Sequence, residues 1–322
     1  MELTAGPVGV LGKSPAHGDF LHIRASHPAF VAFDDWLAQS FEWASERGGA
    51  AFLDAYSRGS IHAYLFHPPG GQGAPITGAL GPSADAAGRK FPLIAGAMLA
   101  LDQNLLRSPH ILPLLLEEFW WAAGNLVAES SHRPTPDLDE RSRVLATQSE
   151  LDFEMAFESY RGWTEQMPLR DLWHLLDAST FGSDPVVPLK LLAEAVRPLR
   201  GIEQPKSPLT LRLPLGQAGG AALCFWLDLA RRFLGWRATV PSFFWSHDGQ
   251  AGGLMLNLGQ PPPSTLSELW QPSGTRDEVC DLCARLDGDW VSTLPALPPR
   301  VHEVLAAEGA SVADLLLATD SA

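Results

Sequence analysis

The chain has 322 residues, 46% of them hydrophobic and 19% charged, enough to bury one large core or two smaller ones and too apolar for a disordered chain. Its 23 basic and 37 acidic side chains leave a net charge of -14. That charge repels phosphate backbones and anionic lipid, so neither nucleic acid nor a membrane surface is expected as a partner.

Residues 8–11 read as a short strand running into a tightly specified turn, Gly12-Lys13-Ser14-Pro15-Ala16-His17-Gly18-Asp19-Phe20. Over residues 28–45, Phe30, Phe33, Leu37, Phe41 and Ala44 recur three and four apart, the spacing of one helix face. Pro28 at the start and Gly48-Gly49 past the end fit helix punctuation. A second short helix is predicted for residues 50–56. Residues 61–66, 76–81 and 91–101 read as strands. A Pro/Gly-rich turn at 68–75 joins the first two, and a second specified turn, Pro82-Ser83-Ala84-Asp85-Ala86-Ala87-Gly88-Arg89-Lys90-Phe91-Pro92, joins the others. So short a connection favours antiparallel pairing, because parallel strands need a longer crossover. Residues 109–129 form a strong helical pattern with Pro113 in its first turn.

The polar, proline-rich stretch 130–137 reads as a mobile connection. Helices are predicted over 138–148, 150–160, 169–177 and 186–199. Residues 209–215 alternate as a strand, Leu209, Leu211 and Leu213 on one face, Thr210 and Arg212 on the other. A helix over 221–234 follows, then strands at 242–245 and 254–258 joined by a Gly-rich turn, and a short helix to Trp270 with Ser264 as its N-cap. The tail beyond Arg276 reads as mostly helical, broken at 295–299. The chain has no internal repeat. It divides into a signature region (1–130), helices and strands completing the same globular unit (131–275), and a helical tail (276–322).

Met1-Glu2-Leu3-Thr4 lacks a basic signal-peptide start, and no apolar run in the sequence approaches the roughly 20 residues of a membrane span, so a cytoplasmic location without membrane insertion is expected. Three cysteines provide no disulfide framework. Cys280 and Cys283 fall in a stretch, 278–286, that reads as helix, where positions three apart share a face; Cys224 and His302 stand at no recognised zinc spacing. His17 and Asp19 with His62 or His67 make only a weak metal or acid–base pattern. Gly12-Lys13-Ser14 matches the end of a phosphate-binding loop, but Pro7 stands where its first glycine belongs, and Pro15 disfavours a helix at Ser14. No catalytic residue and no cofactor is therefore expected; nucleotide binding or hydrolysis through this loop is the alternative.

The second turn has a mechanical logic. Ser83 or Asp85 can close it onto the backbone and Gly88 can take a left-handed conformation. Asp85 can pair with Arg89 four residues on, or Arg89 can reach Asp19. Two compatible readings stay open: a lock between loops, and a partner-binding surface built on it. Its candidate residues are Gly12, Lys13, Pro15, His17, Gly18, Asp19, Phe20, Ser83, Asp85, Gly88, Arg89, Phe91 and Pro92, with Lys13, His17, Asp19, Asp85 and Arg89 forming a rigid polar surface.

The run from Val8 to Phe20, with its Gly-Lys-x-Pro-x-x-Gly-Asp-Phe turn, resembles the opening of the type VI secretion-associated TagF (ImpM) family. The run Gly81-Pro82-Ser83-x-Asp85-x-x-Gly88-Arg89-x-Phe91-Pro92-Leu93 is similar to its second signature, and Trp36-Leu37 and Pro241-Ser242-Phe243-Phe244-Trp245 resemble weaker features. The resemblance implies an α/β (α+β), longin-like sandwich around a largely antiparallel central sheet flanked by helices, here with extra helices in the C-terminal half. It also implies a non-enzymatic cytoplasmic accessory protein that restrains type VI secretion assembly or firing after translation. Its implied partners are type VI secretion components, including a forkhead-associated scaffold protein; a structural subunit of the apparatus is a further alternative.

Overall fold

The computed structural model describes residues 4, 6–69, 74–135, 137–145, 152–176, 186–216, 219–237, 239–246, 253–272, 279–283 and 293–320. Among the described residues its centre is one open sheet of nine strands: β1 Gly9–Gly12, β2 Leu21–Ile23, β3 His62–Phe66, β4 Ile76–Gly81, β5 Leu93–Met98, β6 Leu209–Pro214, β7 Ser242–Ser246, β8 Gly253–Leu258 and β9 Val279–Asp281. The spatial order is β2-β1-β5-β4-β3-β7-β8-β6-β9. Every pairing is antiparallel except β6 with β9. This is the α/β class with a largely antiparallel sheet that the sequence predicts.

Side chains alternate between two cores, as a sheet covered on both faces requires. Along β3, Ala63 and Leu65 enter one core while Tyr64 and Phe66 enter the other. The second core is capped by α1 (Pro28–Ser57), a helix broken at Gly49, where the backbone leaves the helical region (φ 52°, ψ −136°). The two helices predicted on either side of Gly48-Gly49 are thus its two limbs. Phe33 and Trp36 from this helix pack against Phe66, and Trp36 against Phe244.

The first core lies beneath most of the remaining helices. After α2 (Gln103–Arg107) and a 3-10 turn, Pro109–Ile111, comes α3 (Leu112–His132), with Pro113 in its first turn. From Pro109 to His132 this is the one helix among the described residues long and apolar enough to cross a membrane, but 61% of its most apolar window is buried. It packs on β4, β5 and α8 (Gly219–Leu234) as a core helix. Trp120 at its centre donates from Nε1 to the Thr77 hydroxyl at 2.8 Å, satisfying the only polar atom of a fully buried indole. α4 (Leu138–Arg143) and α5 (Phe153–Gln166) pack on α3, α6 (Leu169–Leu175) follows α5, and α7 (Val186–Val196) packs on α8. Toward the C-terminus come α9 (Ser264–Trp270) against α1, then α10 (Pro299–Ala306) and α11 (Val312–Thr319).

Several expectations need correction. Residues 130–132 belong to α3, and Ser130 and Ser131 are buried, so the mobile connection does not begin where the polar composition does. Ser264 is the first residue of α9 rather than its cap, a place taken by Pro263. Residues 279–281 form the edge strand β9, not a helix: pairing with β6 outweighs the helical spacing of Cys280 and Cys283. The short strand β2, absent from the sequence reading, pairs with β1 through Leu21, His22 and Ile23. The Gly-rich turn between β7 and β8, much of the 68–75 turn and the ends of the helices predicted over 138–148 and 150–160 lie outside the described residues.

Candidate functional site: two interlocked loops

Antiparallel pairing of β1 with β5 and of β5 with β4 brings the end of β1, the end of β4 and the start of β5 to the same edge of the sheet. The two specified turns leave from this edge, and the backbone there leaves no slack. Gly12 has φ +115°, and a Cβ on it would lie 1.9 Å from the Pro92 carbonyl oxygen. Only glycine lets β1 end so close to the second loop.

Lys13, one residue on, turns inward. Its side chain is 7% exposed and its amine lies 3.1 Å from the buried Asp85 Oδ2. The same oxygen accepts from Arg89 Nε at 2.7 Å, while Asp85 Oδ1 accepts from the backbone N–H groups of Ala87 (3.0 Å) and Arg89 (2.9 Å). Burial alone would raise the Asp85 pKa. The Arg89 backbone N–H, the Lys13 amine, the Arg89 guanidinium and the Ala87 N–H outweigh it and hold the carboxyl far below the usual carboxylate range. Gly88, with φ +79°, completes the turn and donates its N–H to the Asp85 carbonyl at 2.9 Å.

The loops are tied to each other directly as well. Arg89 Nη2 donates to the Gly18 carbonyl at 2.6 Å, and the Ala86 N–H donates to the His17 carbonyl at 2.9 Å. Ser14 Oγ reaches the Ser130 carbonyl at the end of α3, and the Tyr56 hydroxyl both donates to the Ser83 carbonyl and accepts from its N–H. Phe20 meets Phe91 edge-on at 5.0 Å and lies 4.8 Å from the Lys13 amine. The structure thus joins segments about seventy positions apart into one body.

Residues 9–146, which hold both loops, match the family model described as the TagF N-terminal domain, type VI secretion system-associated. This stretch, somewhat under half of the chain, is similar to the TagF N-terminal domain. The TagF domain links the protein to an accessory role in type VI secretion. Among solved structures, that of PA0076 from Pseudomonas aeruginosa PAO1 aligns over 83% of this chain and 96% of that chain, at 20% sequence identity and a TM-score of 0.46. None of the curated proteins matches the chain.

Within the TagF domain the candidate residues separate into two sets. Lys13, Ser83, Asp85, Phe91 and Pro92 are buried and Pro15 is half-buried; Gly18, Asp19, Phe20, Gly88 and Arg89 are exposed, with His17 between. Lys13 and Asp85 are therefore not part of the polar surface predicted for them. Charges on a tether as short as one residue past β1 face inward because their partners are there. Asp19 does not receive Arg89; its Oδ1 accepts from its own loop, at the Phe20 N–H, and Arg89 takes the neighbouring Gly18 carbonyl. Ser83 works through its backbone, its hydroxyl having no hydrogen-bond partner among the described residues. Gly12-Lys13-Ser14 leads to β2 rather than a helix, and the Lys13 amine is already committed to Asp85. His62 and His67 lie at opposite ends of β3, and among the described residues no group of three or more His, Cys, Asp or Glu could hold a metal. Burial pushes the Cys283 thiol up to about 12 and raises that of Cys224 further, so neither is a ready thiolate.

Centred on α8, beyond the TagF domain, lies a charged cluster that the sequence reading missed; it reaches back to His110. Asp228 on α8, 1% exposed, accepts from Arg231 Nη2 at 3.0 Å and Arg232 Nε at 2.9 Å. Tyr160 from α5 donates to it at 3.5 Å, and Arg232 continues to the Leu316 carbonyl and the Asp320 carboxylate at the end of α11. His110 Nδ1 stands 4.0 Å from Asp228. Burial pushes His110 down to about 4, with Asp228 opposing and Arg231 and Arg232 reinforcing the shift. The spacing of Asp228, Arg231 and Arg232 along one helix face was the available signal.

Proposed function

We propose that this is a non-enzymatic, cytoplasmic accessory protein that restrains type VI secretion after translation by binding a component of the apparatus. A forkhead-associated scaffold protein is the first partner to test. The observation that carries this reading is the interlocked loop pair: Lys13, Asp85 and Arg89 hold two turns of the TagF domain as one fixed surface, and fixed surfaces lower the ordering cost of docking. The charged groups of those loops are engaged with one another and with backbone, an arrangement suited to recognition. The commitment of Lys13 to Asp85 weighs against the nucleotide-binding alternative.

Deleting the gene in its own host tests the function. Effector release and the frequency of sheath assembly are expected to rise and to return to the starting level with the wild-type copy. Unchanged or lower secretion contradicts restraint. For the alternative, calorimetric titration with ATP and GTP plus magnesium is expected to show no saturable heat; binding lost in Lys13→Ala would favour it instead.

A further inference from the structure

The lock leaves two side chains on its outer face that it does not consume. Phe20 is 45% exposed, though its ring is fixed from beneath by Phe91 and the Lys13 amine. Arg89 is 60% exposed, though its Nε and Nη2 are pinned on Asp85 and the Gly18 carbonyl. Its Nη1 has no partner among the described residues. An aromatic ring and a guanidinium whose rotamers are already set, both exposed on loops tied to each other through the Arg89–Gly18 bond, are of the kinds that carry most binding energy at protein interfaces.

Resting on the binding function proposed above, we infer that Phe20 and Arg89 are the contact residues of the TagF domain. They would take a protein segment in which an Asp or Glu carboxylate stands next to an apolar side chain. The carboxylate would meet the outer edge of the Arg89 fork, whose planar geometry matches it; the apolar side chain would cover Phe20. Charge favours an acidic occupant, because the two loops hold three cations (Lys13, Arg89, Lys90) against two carboxylates (Asp19, Asp85) in a chain of net charge -14. A phosphate is the poorer match: phosphate sites gather several guanidiniums, whereas Arg89 is the only arginine of these loops, and the carbonyl it holds belongs to Gly18, next in sequence to Asp19. Lys13 and Asp85 beneath act only by position.

The test uses the full chain as bait in cells carrying the secretion locus, followed by binding measurements with the purified secretion component it captures. Phe20→Ala and Arg89→Lys are each expected to weaken that binding at least 10-fold while melting within about 2 °C of wild type, since a lysine can still pair with Asp85. Raised salt is expected to weaken the wild type more than Arg89→Lys. Hydrogen exchange on the partner then locates the bound segment, and Asp→Asn or Glu→Gln there is expected to cost a similar factor. If the wild type captures a secretion component and both variants bind it equally well, the assignment of Phe20 and Arg89 is overturned while the binding function stands. If the wild type captures none, the binding function itself fails. A bound segment that is phosphorylated, or that lacks a carboxylate, overturns the partner chemistry.

Discussion

Asp85 and Asp228 occupy different halves of the molecule and meet the same electrostatic problem, a buried carboxylate beside two cations. Asp85 draws Lys13 and Arg89 together across loops and takes two backbone N–H groups besides. Asp228 takes Arg231 and Arg232 from its own helix, and through Arg232 reaches the end of α11. The first fixes a surface that ends at solvent, with Arg89 60% exposed; the second lies deeper among helices, with Arg231 24% and Arg232 18% exposed. Under the proposed function the first carboxylate would serve recognition and the second cohesion alone, the difference being how far one of its cations keeps a face to water.

The largest expected effect comes from breaking the enclosed cluster. Asp228→Ala removes the carboxylate that Arg231 and Arg232 share, leaving Arg232 only Asp320 and the Leu316 carbonyl, and urea denaturation is expected to show a loss of about 3–5 kcal/mol. Secretion control should then fail only as far as the fold does. Gly12→Ala attacks the loop pair through the backbone, forcing a side chain into the Pro92 carbonyl at positive φ; roughly 3 kcal/mol is expected from such a strained position. A stable Gly12→Ala variant would mean that the two loops can part without cost.

Acid separates the two clusters. His110 titrates near 4 when folded and near 6.5 when unfolded, so its contribution is complete above about pH 6.5 and lost as pH falls towards 4. The loss is at most about 3 kcal/mol, at 1.36 kcal/mol per pKa unit, and His110→Gln should remove that part of the stability–pH curve. Asp85 is depressed instead: its contribution is present above the unfolded value of 3.8 and disappears only below it. Asp85→Asn should therefore flatten the curve at lower pH than His110→Gln does. At the small end, Arg58→Ala breaks an ion pair with Asp54 in which both side chains are at least 70% exposed. It should change stability by less than about 0.5 kcal/mol.

The antiparallel pairing of β4 with β5 and the build of the second turn were legible for a local reason. Short connections force antiparallel neighbours, and the Asp85–Arg89 spacing and Gly88 are properties of one turn. What sequence could not give was direction. Lys13 and Asp85 read as surface charges, because nothing local says that the end of β1 closes over the second loop. β9 shows the same limit: Cys280 and Cys283 carry a helical spacing, and only the free edge of β6 makes that stretch a strand. The Asp228 cluster draws on four separate elements, of which only the helical part was readable.

Hydrogen exchange on the Asp85→Asn variant tests the central claim most directly, because removing one carboxylate charge should release both loops together. Protection is expected to fall over 13–20 and 83–91 alike, with α8 and α11 unchanged. Loss confined to 83–91, with 13–20 still protected, would contradict the account.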